Sequence, residues 1–179
     1  MDRDRLVRLG ATALFVLVLA VGGALALGVV DLDEGPTTTD DAGGRTVEPT
    51  ATVTVRAPDG AARTEVRVAV ADTQIERYEG LSNTTPLDNG EGMLFVHEEE
   101  SSYAYVMREM NYPLDIVFVG ANGTVTTVHH AELPPEGTGG GDLTRYRGHG
   151  KYVIEVPYGY TNRTGIAAGD RVVLPERYR

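Results

Sequence analysis

Cysteine and tryptophan are absent from the 179 residues, and Lys151 is the single lysine. The absence of cysteine excludes disulfide bonds, thiol catalysis, thiolate metal sites and a lipid-anchored lipoprotein. Basic side chains are scarce, since 16 Arg and Lys stand against 26 Asp and Glu. The resulting net charge of −10 argues against nucleic acid and anionic lipid as partners, because both bind basic surfaces.

The acidic excess lies after residue 30. Residues 31–179 hold 24 acidic and 13 basic side chains. An acidic, lysine-poor composition indicates a halophilic protein, because concentrated salt screens the self-repulsion of such a chain. This hypothesis predicts a loss of structure when salt is withdrawn. A circular dichroism spectrum that stays unchanged in low-salt buffer would show that it is wrong.

A long uncharged segment occupies residues 9–30. About 22 residues of helix span roughly 33 Å, which is enough to cross the hydrocarbon core of a bilayer. Three arginines precede the segment within residues 1–8, and three acidic residues follow it within four positions. This charge pattern predicts a single-pass anchor in the cell membrane, with residues 1–8 in the cytoplasm and the C-terminal domain outside. The alternative is a signal sequence that is cleaved near Ala24–Ala26, which would leave a secreted domain.

Residues 31–50 are rich in Thr, Asp, Gly and Pro, and such a composition predicts a disordered linker. The folded domain is expected over residues 51–179. Thr73 and Glu76 fit a capping box that begins a short helix, and Gly80 fits its end. Alternating apolar residues predict two strands before this helix, over residues 52–55 and 64–71.

Six further strands are predicted over residues 92–96, 102–107, 116–119, 124–130, 152–156 and 170–174. Residues 97–102 are interpreted as a solvated acidic turn, and residues 134–150 as a long Gly-rich loop. Asn122-Gly123 is typical of a hairpin turn. About eight short strands with one or two short helices predict a mainly β (α+β) fold. We expect a small β-barrel or sandwich-like domain behind an N-terminal transmembrane helix.

The polar turn that begins at Met107 runs directly into an apolar strand over residues 114–119. Alternate side chains of this strand face opposite ways, and both sets are apolar apart from Asp115, so we expect a central strand. An acid in such a strand needs partners. Asp115 is therefore either a carboxyl group that accepts hydrogen bonds from turn amides or a pocket residue.

Short motifs occur in a fixed order along residues 63–174, which is nearly the whole predicted domain. They are Val70-Ala71-Asp72-Thr73, Glu76-Arg77, Gly80-Leu81, Gly92-Met93-Leu94-Phe95-Val96, Met107-Arg108, Pro113-Leu114-Asp115-Ile116, Tyr152-Val153-Ile154-Glu155-Val156-Pro157, Gly165 and Gly169-Asp170-Arg171-Val172. Together they resemble the domain of unknown function 192 family. The resemblance implies a compact β-rich domain, often behind a signal peptide or anchor, and it implies no established activity.

The chain departs from the family pattern in two places. The family often has an aromatic residue before the Met of the turn and a Lys-Asn pair after it, whereas Val106, Arg108 and Glu109 stand here. Many members also carry cysteines in the loop before the Tyr152 strand, and residues 134–150 have none. A function that depends on that Asn or on those cysteines does not transfer to this chain.

The candidate ligand-binding residues surround the turn, and they are Tyr105, Met107, Arg108, Glu109 and Asp115. Arg can bind a carboxylate in bidentate fashion, while Met and Tyr provide an adaptable apolar wall. In the structural alternative, Arg108 pairs with Asp115 or Glu109 and braces the turn. The cluster favours a small-ligand or partner-binding accessory module, with a small molecule or a protein as the ligand.

The alternative function is that of a secreted hydrolase-like enzyme using Asp115 with His129, because a base and its orienting acid can lie on neighbouring strands. No Gly-x-Ser-x-Gly motif supplies a nucleophile, so no catalytic residue is assigned. His129 and His130 face opposite ways on a strand. We therefore predict no metal site and no cofactor.

Three N-glycosylation acceptors occur at Asn83, Asn122 and Asn162, and an exported chain can use them. Asn122 lies at the predicted hairpin tip and is the best placed of the three.

Overall fold

The computed structural model describes residues 44–179. In this part of the chain the elements are β1 (Ala51–Arg56), β2 (Ala62–Ala71), α1 (Gln74–Glu79), β3 (Glu91–Tyr105), β4 (Leu114–Val119), β5 (Val125–Ala131), β6 (Tyr146–Pro157), α2 (Tyr160–Thr164) and β7 (Arg171–Val173). A 3₁₀ turn follows over Glu176–Tyr178. The predicted mainly β class is confirmed, with seven strands in the described residues where about eight were expected.

The seven strands form one sheet in the order β5-β4-β6-β3-β2-β1-β7. Among these strands of residues 44–179, only β2 and β3 pair in parallel, and α1 lies in the connection between them. The two edges of the sheet meet at one point, where Thr124 bridges Arg171 and the Val125 amide donates to the Asp170 carbonyl over 2.8 Å. The sheet is therefore a half-barrel.

Residues 44–50 are attached to this sheet before β1 begins. The Arg45 amide donates to the Asn83 carbonyl over 2.8 Å, and the Thr50 amide donates to the Val68 carbonyl over 2.9 Å. The end of the predicted linker 31–50 therefore belongs to the folded unit. The predicted segments 1–8 and 9–30, and linker residues 31–43, lie outside the described residues. Within residues 44–179, no helix is long and apolar enough to cross a membrane.

Strand β4 is central, as its sequence predicted, because it pairs with β5 on one side and β6 on the other. All six of its residues are buried. Val117 and Val119 belong to a core cluster on one face of the sheet, while Leu114, Ile116 and Phe118 belong to a second cluster on the other face. The alternation of side chains thus separates two apolar cores, and the second one borders the pocket described below.

The predicted acidic turn at residues 97–102 is wrong, because β3 continues through it. The pairing of β3 with β6 shifts register between Val96 and Ser101, so the strand bends at a bulge and does not end. Glu98, Glu99 and Glu100 are exposed on this bend, which explains why their sequence is as polar as that of a turn.

The Gly-rich loop is shorter than predicted, because β6 begins at Tyr146 and includes Gly148 and Gly150. These glycines are packing residues. A Cβ at Gly148 would lie 2.3 Å from Phe118 Cγ, and one at Gly150 would lie 2.5 Å from the Val119 carbonyl oxygen. A side chain at either position would push against the central strand, so the strand needs glycine there.

Short sequence motifs correctly predicted helix α1 and the β4–β5 hairpin. Thr73 caps α1, with its side chain accepting from the Glu76 amide and the Glu76 side chain accepting from the Thr73 amide. This arrangement is the predicted capping box, and Gly80 ends the helix with a positive φ of 49°, which glycine adopts readily. The predicted hairpin at Asn122-Gly123 joins β4 to β5.

Candidate functional site

A cavity of about 320 Å³ opens between α1, the bent part of β3 and the turn at residues 106–110. We call it the α1–β3 pocket. Its lining consists of Arg77, Tyr78, Glu79, Gly80, Leu81, Ser82, Phe95, His97, Tyr103, Ala104, Tyr105, Val106, Met107, Arg108, Met110, Leu114 and Glu155. Most of these side chains are apolar or aromatic, and the charged groups come from α1, the turn and β6.

Glu155 is the most unusual of the lining residues. It lies in the middle of β6, between Met93 of β3 and Ile116 of β4, on the face of the second core. Its side chain is only 6% exposed, and no hydrogen bond or ion pair from the described residues reaches its carboxyl group. Burial raises the pKa of Glu155 from its ordinary value of 4.5 to about 8. An acid buried without a partner is costly, so this position is a functional-site candidate.

Aromatic rings form the β3 side of the pocket. His97 stacks on Tyr103 with ring centres 3.6 Å apart, and His97 Nε2 lies 3.0 Å from the Tyr105 hydroxyl. Phe95 meets Tyr105 edge to face at 5.1 Å. Burial, followed by the nearby Arg77 guanidinium, lowers the pKa of His97 to about 4. The His97 ring is therefore neutral near pH 7 and belongs to the wall.

Arg108 connects the turn to α1 at the mouth of the pocket. Its guanidinium lies 4.0 Å from the centre of the Tyr78 ring and donates to the Tyr78 carbonyl oxygen. A second, longer contact of 3.4 Å joins it to the Ser82 hydroxyl. Its Nε–H is buried and has no hydrogen-bond partner among the described residues. Arg108 thus carries one buried donor that no described residue satisfies.

The structure separates the five residues that the sequence grouped. Tyr105, Met107 and Arg108 line the α1–β3 pocket. Glu109 instead accepts a hydrogen bond of 2.9 Å from the Asn83 side chain, outside the lining. Asp115 lies with the first core on the opposite face of the sheet. The ion pair of Arg108 with Asp115 or Glu109 is therefore wrong, because Arg108 braces the turn through the Tyr78 carbonyl.

Asp115 is fully buried and holds the start of α2. Its Oδ2 accepts from the Thr161 amide over 2.8 Å and from the Thr161 hydroxyl over 2.7 Å. Its Oδ1 accepts from the Gly159 amide over 3.1 Å and lies 2.6 Å from His130 Nδ1. Of the two interpretations of Asp115, the one in which turn amides donate to the carboxyl group describes these contacts.

The proposed pairing of Asp115 with His129 is wrong. The antiparallel register places His130 opposite Asp115 and His129 opposite Ile116, on the other face of the sheet. His129 Nε2 lies 2.8 Å from the Arg147 carbonyl oxygen instead. The hydrolase-like site that depended on this pair therefore does not form.

The remaining sequence candidates lie at the surface. Asn83, Asn122 and Asn162 are all exposed, and Asn122 lies at the tip of the β4–β5 hairpin. In residues 44–179 no three His, Asp or Glu side chains converge as a metal site requires.

Sequence reasoning missed Glu155 and the role of His97 in the wall. The signal for Glu155 was an acid within the apolar run Tyr152–Val156, the same kind of signal that drew attention to Asp115. For His97 the sequence carried no signal of this role, because its ring partners Tyr103 and Tyr105 lie across a bend of β3 that the sequence did not reveal.

Comparisons with known proteins place the fold in a family. The profile of the domain of unknown function 192 family, described as "Uncharacterized ACR", matches residues 54–174. No curated protein matches the chain. A solved structure from Sinorhizobium meliloti 1021, described as a proposed transcription regulator, is 25% identical with a TM-score of 0.62, and the match covers 74% of this chain and 98% of that one.

A second solved structure, a protein of unknown function from Novosphingobium aromaticivorans DSM 12444, is 30% identical with a TM-score of 0.60. That match covers 78% of this chain and 99% of the other. The family profile runs from within β1 to the end of β7 and includes the Glu155 strand. The ordered motifs are thereby confirmed, and the chain belongs to the domain of unknown function 192 family.

Proposed function

We propose that this domain is a binding module that holds a small amphipathic ligand in the α1–β3 pocket. The observation that supports this proposal above all is Glu155, a buried acid that lines an open cavity without a partner from the described residues. Polar groups in a protein interior are almost always hydrogen-bonded. A ligand that provides the missing partner would remove the cost of burying this carboxyl group.

The size and lining of the pocket suit a small molecule. Ligand sites commonly have volumes of about 300 to 1,000 Å³, with mostly apolar walls and a few convergent polar groups. The α1–β3 pocket has about 320 Å³, which is at the lower end of that range. Met107 and Met110 add unbranched, adaptable side chains to its lining.

Arg108 provides the pocket with a second polar group, a hydrogen-bond donor. Its buried Nε–H is a donor without a partner among the described residues, while its other contacts fix the guanidinium on Tyr78. The ligand should therefore combine an apolar body, a group that pairs with Glu155 and an oxygen that accepts from Arg108.

Methionine methyl groups offer a direct test with the full 179-residue chain. The chain has four methionines, and Met107 and Met110 line the pocket. Four probes share one aromatic body: phenethylamine, phenethyl alcohol, 3-phenylpropionate and phenylalaninamide. We expect saturable shifts of the Met107 and Met110 methyl resonances with at least one probe at millimolar concentration. If none of the four probes saturates these shifts, the pocket does not bind small amphipathic molecules and the proposal fails.

The role of Arg108 can be separated from its bracing contacts with Arg108→Ala. We expect a loss of about 1 kcal/mol in the free energy of unfolding, from the ring contact and one hydrogen bond. We expect the wild type to bind phenylalaninamide more tightly than phenethylamine, because only phenylalaninamide has a carbonyl oxygen that can accept from the Arg108 Nε–H. Arg108→Ala should remove this difference in affinity.

Arg145→Ala is the matched control, since Arg145 is exposed in the Gly-rich loop and its removal should change neither quantity. Unfolding in urea and probe titrations measure the two effects. A stability loss with the affinity advantage intact would mean that Arg108 only braces the turn.

We propose that the module works outside the cell, held at the membrane by residues 9–30 or released after cleavage near Ala24–Ala26. The support is the uncharged segment with arginines before it and acids after it. Protease added to intact cells should digest an exported domain and spare a cytoplasmic one. DNA binding is not part of the proposal, because residues 44–179 hold 19 acidic and 13 basic side chains and DNA favours basic surfaces.

A further inference from the structure

The carboxyl group of Glu155 constrains the chemistry of the ligand that meets it, provided that the pocket binds a ligand as proposed. A neutral hydrogen-bond donor at this position could be supplied by Ser, Thr or Gln, none of which requires a charge to be buried. A carboxyl group adds the capacity to become negative. That capacity is useful in a buried site only if the ligand brings a positive charge, because an isolated ion in an apolar interior is strongly disfavoured.

The residues of the pocket leave that positive charge to the ligand. Two arginines line the pocket, but neither forms an ion pair with Glu155. Arg77 Nη1 donates to the Asp72 and Val96 carbonyl oxygens over 2.6 and 2.8 Å. Arg108 donates to Tyr78. Both guanidinium groups are thus held by backbone oxygens, and no basic side chain from residues 44–179 pairs with the carboxyl group of Glu155.

The pocket walls also suit a cation. The faces of aromatic rings attract ammonium groups, and the attraction is stronger where water is excluded. Phe95, Tyr103 and Tyr105 all line the same cavity as Glu155. An alkyl or aryl ammonium ion can therefore pair with the carboxyl group while its apolar body lies against these rings.

We infer that the ligand of the α1–β3 pocket is an apolar amine whose ammonium group pairs with the Glu155 carboxylate. No bond is made or broken in this binding apart from the proton that Glu155 releases to solvent as it ionises. The pocket thus selects for positive charge and apolar shape together.

Proton release makes the affinity depend on pH. Free Glu155 holds its proton up to about pH 8, so below that pH each bound amine must displace a proton. The other charged or titratable groups that face it are Arg77, Tyr78 and Glu79 of α1, His97, Tyr103 and Tyr105 of β3, Arg108 of the turn, and Tyr112 beside the turn. His97 stays neutral above its pKa of about 4, and burial raises the pKa of Tyr105 above its ordinary value. The ionisation of Glu155 should therefore dominate between pH 6 and 8.

The experiment titrates the full chain with phenethylamine, phenethyl alcohol and 3-phenylpropionate and follows the Met107 and Met110 methyl shifts. We expect phenethylamine to bind best, with its Kd falling about tenfold for each pH unit as the pH approaches 8. Glu155→Gln should weaken phenethylamine binding at pH 8 by at least about tenfold and remove the pH dependence. Glu65→Gln, which removes one exposed acid on β2, is the control and should bind like the wild type. The Glu155→Gln variant, prepared and titrated in the same way, also shows how much of the methyl shift comes from non-specific binding of the probe.

The possible outcomes separate this inference from the proposed function. If the alcohol or the acid binds as tightly as the amine or more tightly, the ligand is not selected for its positive charge. That result would contradict the amine inference but not the proposed binding function. Equal affinity of wild type and Glu155→Gln for phenethylamine would also contradict the inference that an ammonium group pairs with Glu155. If none of these three probes saturates the shifts and phenylalaninamide also fails to do so, both proposals fail. Tight, pH-dependent amine binding that Glu155→Gln abolishes would support both.

Discussion

Asp115→Ala is expected to lower the free energy of unfolding by about 3 to 5 kcal/mol, which is a large part of the stability of a typical domain. The physical reason is that the Asp115 carboxyl group meets three donors of the α2 region and the His130 ring, all within 3.1 Å. Alanine would leave the Gly159 and Thr161 amides without an acceptor in a buried site. Each unsatisfied group costs about 1 to 3 kcal/mol.

Asp115→Asn should fall between the wild type and alanine, because one oxygen remains as an acceptor while the new amide nitrogen faces other donors. The matched control is Asp142→Ala, an exposed acid in the Gly-rich loop, and it should change the stability by less than about 0.5 kcal/mol. Urea unfolding can be followed by tyrosine fluorescence, since the chain has nine tyrosines and no tryptophan. A loss below about 1 kcal/mol for Asp115→Ala would contradict the bonding described for the α2 start.

The elements that the sequence predicted correctly are those fixed by neighbouring residues. The capping box of Thr73 and Glu76 depends on a spacing of three residues, and the Asn122-Gly123 hairpin depends on a glycine with positive φ, since Gly123 has φ 82°. The two apolar faces of β4 follow from the alternation of side chains along one strand. Each of these signals is complete within a short stretch, so no knowledge of distant contacts was needed.

The errors concern residues whose conformation is decided by distant partners. Glu98, Glu99 and Glu100 continue β3 because the strand pairs with β6 on both sides of its bulge. Gly148 and Gly150 resemble loop residues in the sequence, yet they are in β6 because Phe118 and Val119 occupy the space of their missing side chains. Composition alone reports polarity and small size, and neither distinguishes a bent strand from a loop.

The sequence predicted only the part of the candidate site whose residues are neighbours along the chain. Tyr105, Met107 and Arg108 are close in sequence, so their common position was visible as a cluster. Glu155 joins them only because β6 lies between β3 and β4, which is a matter of strand order across the whole domain. The acid in the Tyr152–Val156 strand carried as clear a signal as Asp115, but the sequence does not show that the Glu155 face borders a pocket.

Above pH 6.5 the wild-type chain is expected to lose stability that Glu155→Gln retains. The pKa of Glu155 is about 8 in the folded chain, against an ordinary value of 4.5 that applies when the chain is unfolded. Below pH 4.5 both states hold the proton, and the contribution of Glu155 to stability is fully present. Between these values only the unfolded chain releases the proton, so the free energy of unfolding falls by about 1.4 kcal/mol for each pH unit. Above pH 8 the difference is constant.

His97 acts in the opposite direction at lower pH. Its pKa falls from 6.5 to about 4 on folding, so its contribution to stability is lost as the pH drops below 6.5. It therefore offsets the Glu155 effect between pH 4.5 and 6.5, although its partial exposure makes its share the smaller one. Above pH 6.5 His97 no longer offsets the loss in the wild-type chain, so the effect of Glu155 is visible there in the wild type itself as well as in its difference from Glu155→Gln.

From pH 6.5 to 8 we expect the wild type to lose about 2 kcal/mol relative to Glu155→Gln. The buried glutamine amide has its own cost, but that cost does not vary with pH and cancels from the slope. Urea unfolding of both chains at several pH values measures the difference, and parallel curves would contradict a buried, unpaired Glu155. Adding phenethylamine should shrink the loss in the wild type alone, since a bound ammonium group stabilises the ionised carboxylate that the free pocket cannot. The Glu155 carboxylate would then destabilise the empty domain at high pH and stabilise the ligand-bound domain. This behaviour is expected of a ligand site in which the bound cation supplies the missing partner of a buried carboxylate.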